Sequence, residues 1–346
     1  MPLPARAATI VGFRTYFSLC SELCTIHFIM SKIFIFILFL FGLFGCSDPI
    51  DGELIFVEPD GNGSFNFPYF LFIPDQIEQG KSVHIIVEPN NSGFADDDFQ
   101  KHLEKAKRTA TLDYYIGNYV AQNLKIPLLV PVFPRSKEEW KIYTHALDRD
   151  VMVQNGNTLE RIDIQLIEMF KDARLRLKKR NIDIEEKFFM TGFSASGTFA
   201  NRFALIHPER ISAVAAGGMN GLLMLPLDSL NGTELKYPLG TVDLNGLVNK
   251  EFDKELFIKT PQFYFMGELD DNDAVPYDDA FNQNEREIIN TLLGKGMLTE
   301  RWTNCRNIYM DCNVNAVIKT LDNTGHEHPE TIKKEIVEFF RMNIEK

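Results

Sequence analysis

The sequence predicts an α/β fold, a mostly parallel central sheet with helices on both faces. Three observations carry that prediction. Short β-rich runs alternate with helical patterns over residues 55–343, and strand-then-helix alternation marks a parallel sheet. Some runs are apolar from end to end, as in P-L-L-V-P-V-F at residues 127–133, which suits strands buried on both sides. One apolar strand also runs straight into a helix through a turn of small residues, Gly192 to Gly197.

In chain order, strands are expected at Tyr69–Ile73, Val83–Val87, Leu128–Phe133, Phe188–Phe193, Ile211–Ala216, Gln262–Met266 and Val314–Leu321. A helix is expected over Phe99–Asn123, with the acidic run Asp96-Asp97-Asp98 as its cap and first turn. The next spans Thr158–Lys179, where Leu159, Ile162, Leu166, Phe170, Ala173 and Leu177 recur at helical spacing behind a capping Asn157-Thr158. Two more follow at Ser196–His207 and Pro329–Asn343, and His207-Pro208-Glu209-Arg210 punctuates the end of the first. Residues 217–260 break the rhythm with Gly221, Pro226, Gly232, Pro238, Gly240 and Gly246. Ligands sit outside the carboxyl ends of the strands in such sheets. That stretch therefore reads as a lid-like insertion, or else as a surface excursion with no role.

The chain of 346 residues has room for two domains, yet α/β folds often use 250 or more as one. With no repeat or linker between them, residues 46–346 are expected to form a single domain. Apolar residues at 45% and charged residues at 24% exclude disorder and collagen-like repetition. A formal charge of −12 gives no electrostatic reason to bind nucleic acid or an anionic lipid surface, and both are excluded as primary partners.

The N-terminus has the form of an address. Lys32 precedes about a dozen unbroken apolar residues that end at Gly45-Cys46, too short for a comfortable span of ~20 residues but right for a secretory signal. Leu43-Phe44-Gly45-Cys46 resembles a bacterial lipobox, with Phe44 in place of the usual small residue. The resemblance implies a lipid on Cys46 as first mature residue, a signal at 30–45, and anchoring to a membrane of the cell envelope. Met30-Ser31-Lys32 reads as the true start, with residues 1–29 an over-extended beginning. Residues 1–45 carry three cations (Arg6, Arg14, Lys32) and one anion (Glu22), so removing them takes the charge from −12 to −14. Cys305 and Cys312 then remain besides Cys46. They are open to a small-loop disulfide or to two free thiols.

The chemistry centres on Thr191-Gly192-Phe193-Ser194-Ala195-Ser196-Gly197. A serine on so sharp a strand–helix turn is thrust out of the backbone, and crowding demands small residues two before and two after it. Gly192 and Ser196 meet that demand around Ser194, although Ser196 itself competes for the reading. A serine hydroxyl needs a His to take its proton and an acid to orient that His. Downstream of strand Gln262–Met266, Gly267-Glu268-Leu269-Asp270-Asp271-Asn272-Asp273 offers Asp270, with Asp273 as alternative acid. A calcium loop or a solvated turn would also use such a D-D-N-D cluster. Gly325-His326 lies between the last strand and last helix, with His328 two residues away as a rival. The Ala195 N–H and a backbone donor from Asn90 or Asn91, in the loop after Val83–Val87, would face a developing oxyanion. His145 or Arg149 is expected to line the pocket, unless Arg149 pairs with Asp148 or Asp150.

The turn, the G-x-x-D loop and the Gly-His pair together resemble the α/β-hydrolase superfamily over most of residues 55–343. The elbow G-F-S-x-x-G and the following H-P-E-R-I-S-A-V-A look closest to secreted polyhydroxybutyrate-depolymerase-like and feruloyl-esterase-like proteins. The resemblance implies ester hydrolysis through an acyl-enzyme on Ser194, with His326 as base, Asp270 as acid, and no cofactor. The usual His-Gly of the oxyanion loop is missing at Val87-Glu88-Pro89-Asn90-Asn91. Two alternatives stay open, a peptidase of the same fold and a non-catalytic surface-anchored binding lipoprotein.

Overall fold

The computed structural model describes residues 51–344 apart from Gln79, Asn91, Ser92 and Phe94. The signal segment, Cys46 and the donor candidate Asn91 lie outside the described residues. Eight strands form one sheet: β1 (Gly52–Val57), β2 (Tyr69–Pro74), β3 (Ile86–Val87), β4 (Leu128–Pro131), β5 (Phe188–Phe193), β6 (Ile211–Gly217), β7 (Gln262–Gly267) and β8 (Ala316–Leu321). Their order is β1-β2-β4-β3-β5-β6-β7-β8. Only the β1–β2 and β2–β4 pairings are antiparallel, and all others are parallel. Among the described residues no helix is long and apolar enough to cross a membrane.

The two faces are separated by the alternation of side chains along the central strands. On β5, Phe188 and Met190 point into a cluster that includes Phe170, Ala173 and Leu177 of α3 (Ile162–Lys178) and Phe199 and Phe203 of α4 (Ala195–Ile206). Phe189 and Phe193 point the other way, among residues of α1 (Phe99–Thr111), α2 (Ile116–Leu124) and α7 (Glu330–Ile344), such as Ala110, Val120 and Phe340. All six β5 residues are buried. Each large side chain among them contributes roughly 1.5–3 kcal/mol of apolar burial, which anchors the turn that follows.

Several elements differ from expectation for local reasons. The helix expected over 99–123 is two helices, because Leu112 and Tyr115 are extended and the Asn118 amide donates to the Ala110 carbonyl at 2.7 Å, closing α1. α3 begins at Ile162 rather than Thr158: Asn157 accepts from the Leu159 N–H in a local turn, and Arg161 sits at φ 49° just before the helix. Of the strand expected at 83–87, only Ile86 and Val87 join the ladder, with Val83 making an isolated bridge to Ile184. β1 was not expected, nor were α5 (Gln283–Leu292) and α6 (Thr303–Asp311).

Residues 217–260 hold a small hairpin (Ser229–Leu230 with Thr233–Glu234) and two short helices, Leu244–Val248 and Lys254–Lys259. They are not a detached excursion. Leu223, Met224, Leu225, Leu235, Tyr237, Leu244 and Phe257 are buried in the core on the α3/α4 side. Tyr237 donates its hydroxyl to the Leu147 carbonyl. Arg149 pairs across to Asp243 at 2.6 Å and donates to the Tyr237 carbonyl at 2.7 Å, so its partner is neither Asp148 nor Asp150. Cys305 and Cys312 are free thiols. Seven positions apart at α6 and its cap, they are separated by about 10 Å of helix rise, beyond the reach of a disulfide.

Candidate active site

The turn from β5 into α4 is fixed by sterics. Ser194 adopts φ 60°, ψ −125°, a region few side-chain-bearing residues enter. A Cβ on Gly192 would come within 2.3 Å of the Ser196 carbonyl oxygen, and one on Gly197 within 2.5 Å of the Gly217 carbonyl oxygen. Ser196 is fully buried; its Oγ accepts from the Phe193 N–H and donates to the Phe193 carbonyl, both at 2.9 Å. The second serine of the motif is thus a staple across the turn and not the exposed hydroxyl. Ser194 borders an open cavity of about 850 Å³. Ala195 is the first residue of α4, so its N–H is among those left without a helical acceptor and lies at the positive end of the helix dipole.

Asp270 and His326 come from loops that leave β7 and β8. Gly267 lets these loops pass closely, since a Cβ there would meet the Gly325 carbonyl oxygen at 2.2 Å. The Leu269 N–H donates to the Thr324 carbonyl at 2.8 Å and ties them together. His326 Nδ1 then faces both carboxylate oxygens of Asp270, at 2.9 and 3.1 Å. The Asp270 side chain is fully buried. His326 borders the same cavity as Ser194 and packs on Phe193, ring centroids 4.7 Å apart. A side chain at Gly218 would press on its Cε1 from 3.0 Å.

The rivals are engaged elsewhere. Asp273 forms an ion pair with the buried Arg301 at 2.5 Å and accepts from the Val275 N–H. His328 is wedged between Tyr114 and Phe193, 4.8 Å from each ring centroid. Burial pushes its imidazole down to about 4, so it is neutral at physiological pH. Further along the loop, Asp278 pairs with Arg286 and Asp279 with the buried Arg135, each at 2.6 Å. Among the described residues no three His, Cys, Asp or Glu side chains converge as a metal site.

The periphery of the site departs from expectation at His145 and over residues 217–260. The Asn90 side chain faces inward, its Oδ1 accepting from the Phe133 N–H and its Nδ2 donating to the Phe133 carbonyl. It therefore ties its loop to the segment that follows β4 and leaves the backbone N–H, the donor expected from the sequence, as the candidate. His145 is buried beside it, 3.1 Å from Asn90 Nδ2, and does not line the cavity. Nor do residues 217–260, except for Asn220 in a smaller recess beneath Ser194. The walls include Lys105, Tyr114 and Tyr115, Trp140 and Tyr143, and the loop from Asn272 to Asp279. Asn272, which donates its side-chain amide to His326 Nε2 at 3.2 Å, was missed as well. Its position two after the acid was the one available signal.

No family model matches the chain, and no curated protein matches it. Solved structures do. A poly(aspartic acid) hydrolase from Sphingomonas sp. KT-1 aligns with TM-score 0.54 at 14% identity, covering 83% of this chain and 97% of that one. A poly(3-hydroxybutyrate) depolymerase from Bordetella parapertussis aligns with TM-score 0.49 at 14% identity over 84% and 88% of the two chains. An S-formylglutathione hydrolase from Agrobacterium tumefaciens gives 0.46 at 11% identity over 86% and 97%. At these identities the likeness speaks to architecture, and with the strand order it defines the α/β-hydrolase fold.

Proposed function

We propose that the chain is a serine hydrolase that cleaves carboxylic esters through an acyl-enzyme. The observation that carries this reading is the Asp270–His326 pair opening onto the same cavity as the strained, outward-facing Ser194. With Nδ1 bound to the carboxylate, the imidazole keeps Nε2 as its basic atom. His326 takes the Ser194 proton as the hydroxyl attacks the ester carbonyl, then returns it to the departing alcohol. Asp270 holds the tautomer and stabilises the imidazolium. The Ala195 N–H faces the oxyanion, with a second backbone donor from Asn90 or Asn91. Water repeats the sequence and frees the acid.

The open cavity and its exposed rings, Tyr114, Trp140 and Tyr277, suit a bulky or polymeric substrate better than a small one. The chain's charge of −12 disfavours a polyanion. The test uses p-nitrophenyl acetate and butyrate with a fluorophosphonate probe. Wild type is expected to turn over both esters and to be labelled, and Ser194→Ala to do neither. Turnover and labelling that survive in Ser194→Ala would refute the assignment.

We propose further that Cys46 is lipidated and holds the enzyme on a membrane of the cell envelope, on the strength of the Leu43–Cys46 motif. Intact mass of the native protein is expected to show diacylglyceryl-modified Cys46 at the N-terminus. A mass that includes residues 1–45 would end the idea.

A further inference from the structure

Asp270, His326 and Asn272 form a closed ring of hydrogen bonds. Asp270 accepts from His326 Nδ1; His326 Nε2 accepts from Asn272 Nδ2 at 3.2 Å; and the Asn272 backbone N–H returns to Asp270 Oδ1 at 3.0 Å. The proton on Nδ1 fixes the roles. Nε2 has one in-plane lone pair, and the group that meets it must be a donor. That lone pair is also where the Ser194 proton has to go. Asn272 and the Ser194 hydroxyl are therefore exclusive partners of one atom.

We propose that Asn272 occupies Nε2 of the imidazole at rest, as a reversible cap on the base whose tautomer Asp270 sets, and yields Nε2 to Ser194 when substrate enters. This rests on the reading of Ser194 and His326 given above. Three features make the exchange feasible. The Asn272 side chain is exposed and borders both the main cavity and the recess beneath Ser194, so an incoming ester meets it. Its backbone stays in place, because its N–H is tied to Asp270 and the neighbouring Asp273 to Arg301. Only side-chain torsions need turn. The amide also has two faces: Nδ2 donates to a neutral imidazole, and after a half-turn Oδ1 accepts from the N–H of an imidazolium. No proton is gained or lost by Asn272. The one that leaves Ser194 goes to Nε2 and from there to the leaving alkoxide.

Three full-length proteins with ¹⁵N-labelled histidine, wild type, Asn272→Ala and Asn272→Asp, test the proposal. In Asn272→Ala the His326 Nε2 resonance is expected to move downfield, toward a base with no donor on it, while the Nδ1 proton bonded to Asp270 persists. Fluorophosphonate labelling is expected to quicken about three- to tenfold, the weight of one exposed hydrogen bond no longer competing. In Asn272→Asp labelling is expected to slow, because a carboxylate offers no donor to the neutral imidazole and holds a proton on Nε2. A residue that merely supports the loop would slow both variants. An unchanged Nε2 resonance in Asn272→Ala, or labelling in that variant no faster than wild type, overturns the proposal. If wild type is not labelled at all, the Ser194 reading has failed, and the nitrogen resonances still decide whether Asn272 sits on His326.

Discussion

The two halves of the candidate site are held by different physics. The serine half is a tight turn whose geometry follows from missing atoms at Gly192 and Gly197 and one internal staple from Ser196. The acid–histidine half is assembled from loops leaving separate strands, tied together by the Leu269–Thr324 backbone bond, with the acid loop kept in place by ion pairs from Asp273, Asp278 and Asp279 to Arg301, Arg286 and Arg135. A turn made by sterics is local and stiff. A loop made by charges depends on residues brought in by the rest of the fold, and it is the half where motion is affordable.

The sharpest contrast comes from chemistry alone. Ser194→Ala is expected to cut ester turnover about 10⁴-fold or more while leaving the melting temperature within a degree or two of wild type; near-normal turnover would break the comparison at its centre. Asp273→Asn removes the counter-charge from Arg301, a side chain 1% exposed. Loss of a fully buried partner costs about 3–5 kcal/mol. Because Asp273 is partly wet, about 2–3 kcal/mol in urea unfolding is expected, with reduced turnover as the acid loop loosens. Unchanged stability would show that the loop is not held by charge.

Ser196→Ala probes the steric half. It leaves the Phe193 N–H without its side-chain acceptor and is expected to cost about 1–2 kcal/mol, with turnover within a few-fold of wild type. Lost activity at full stability would return Ser196 to the chemistry. The smallest effect is expected at Glu88. It is buried, its carboxylate accepting from the Gly117 N–H at 2.6 Å. Burial pushes its carboxyl up to about 7, against the pull of that hydrogen bond and of Lys105. Between an unfolded value near 4.5 and about 7, the folded chain keeps a proton that the unfolded chain has released. Stability then falls as pH rises through that window. Glu88→Gln is expected to flatten part of the slope between pH 5 and 7.5, measured as melting temperature against pH. Asp148, raised to about 7 mainly by burial, acts in the same sense, whereas His328, lowered to about 4, acts in the opposite one. A steeper slope in the variant would contradict the sign.

What was legible in the sequence follows the same division. The sharp turn at Ser194 could be read because small residues at fixed offsets are a local requirement. The meeting of Asp270 with His326 could be read from their places after strands, since the sheet itself carries those loops to one edge. What escaped depends on distant partners. Nothing near Arg149 announces Asp243, and nothing near Arg301 announces Asp273. The break between α1 and α2 depends on Asn118 reaching back to Ala110, a choice that helical periodicity does not encode. Residues 217–260 look loose because glycines and prolines crowd them, yet buried leucines spaced between those breakers bind them to the core.

The chain has two tryptophans, and the fold puts them in opposite surroundings: Trp302 is 2% exposed, whereas Trp140 stands 42% exposed on the wall of the cavity. Emission from the pair therefore separates into a short-wavelength component that reports on folding and a long-wavelength one at the mouth. Acrylamide will reach only the second. An occupant of the cleft will shield it, giving an optical titration that needs neither turnover nor a label.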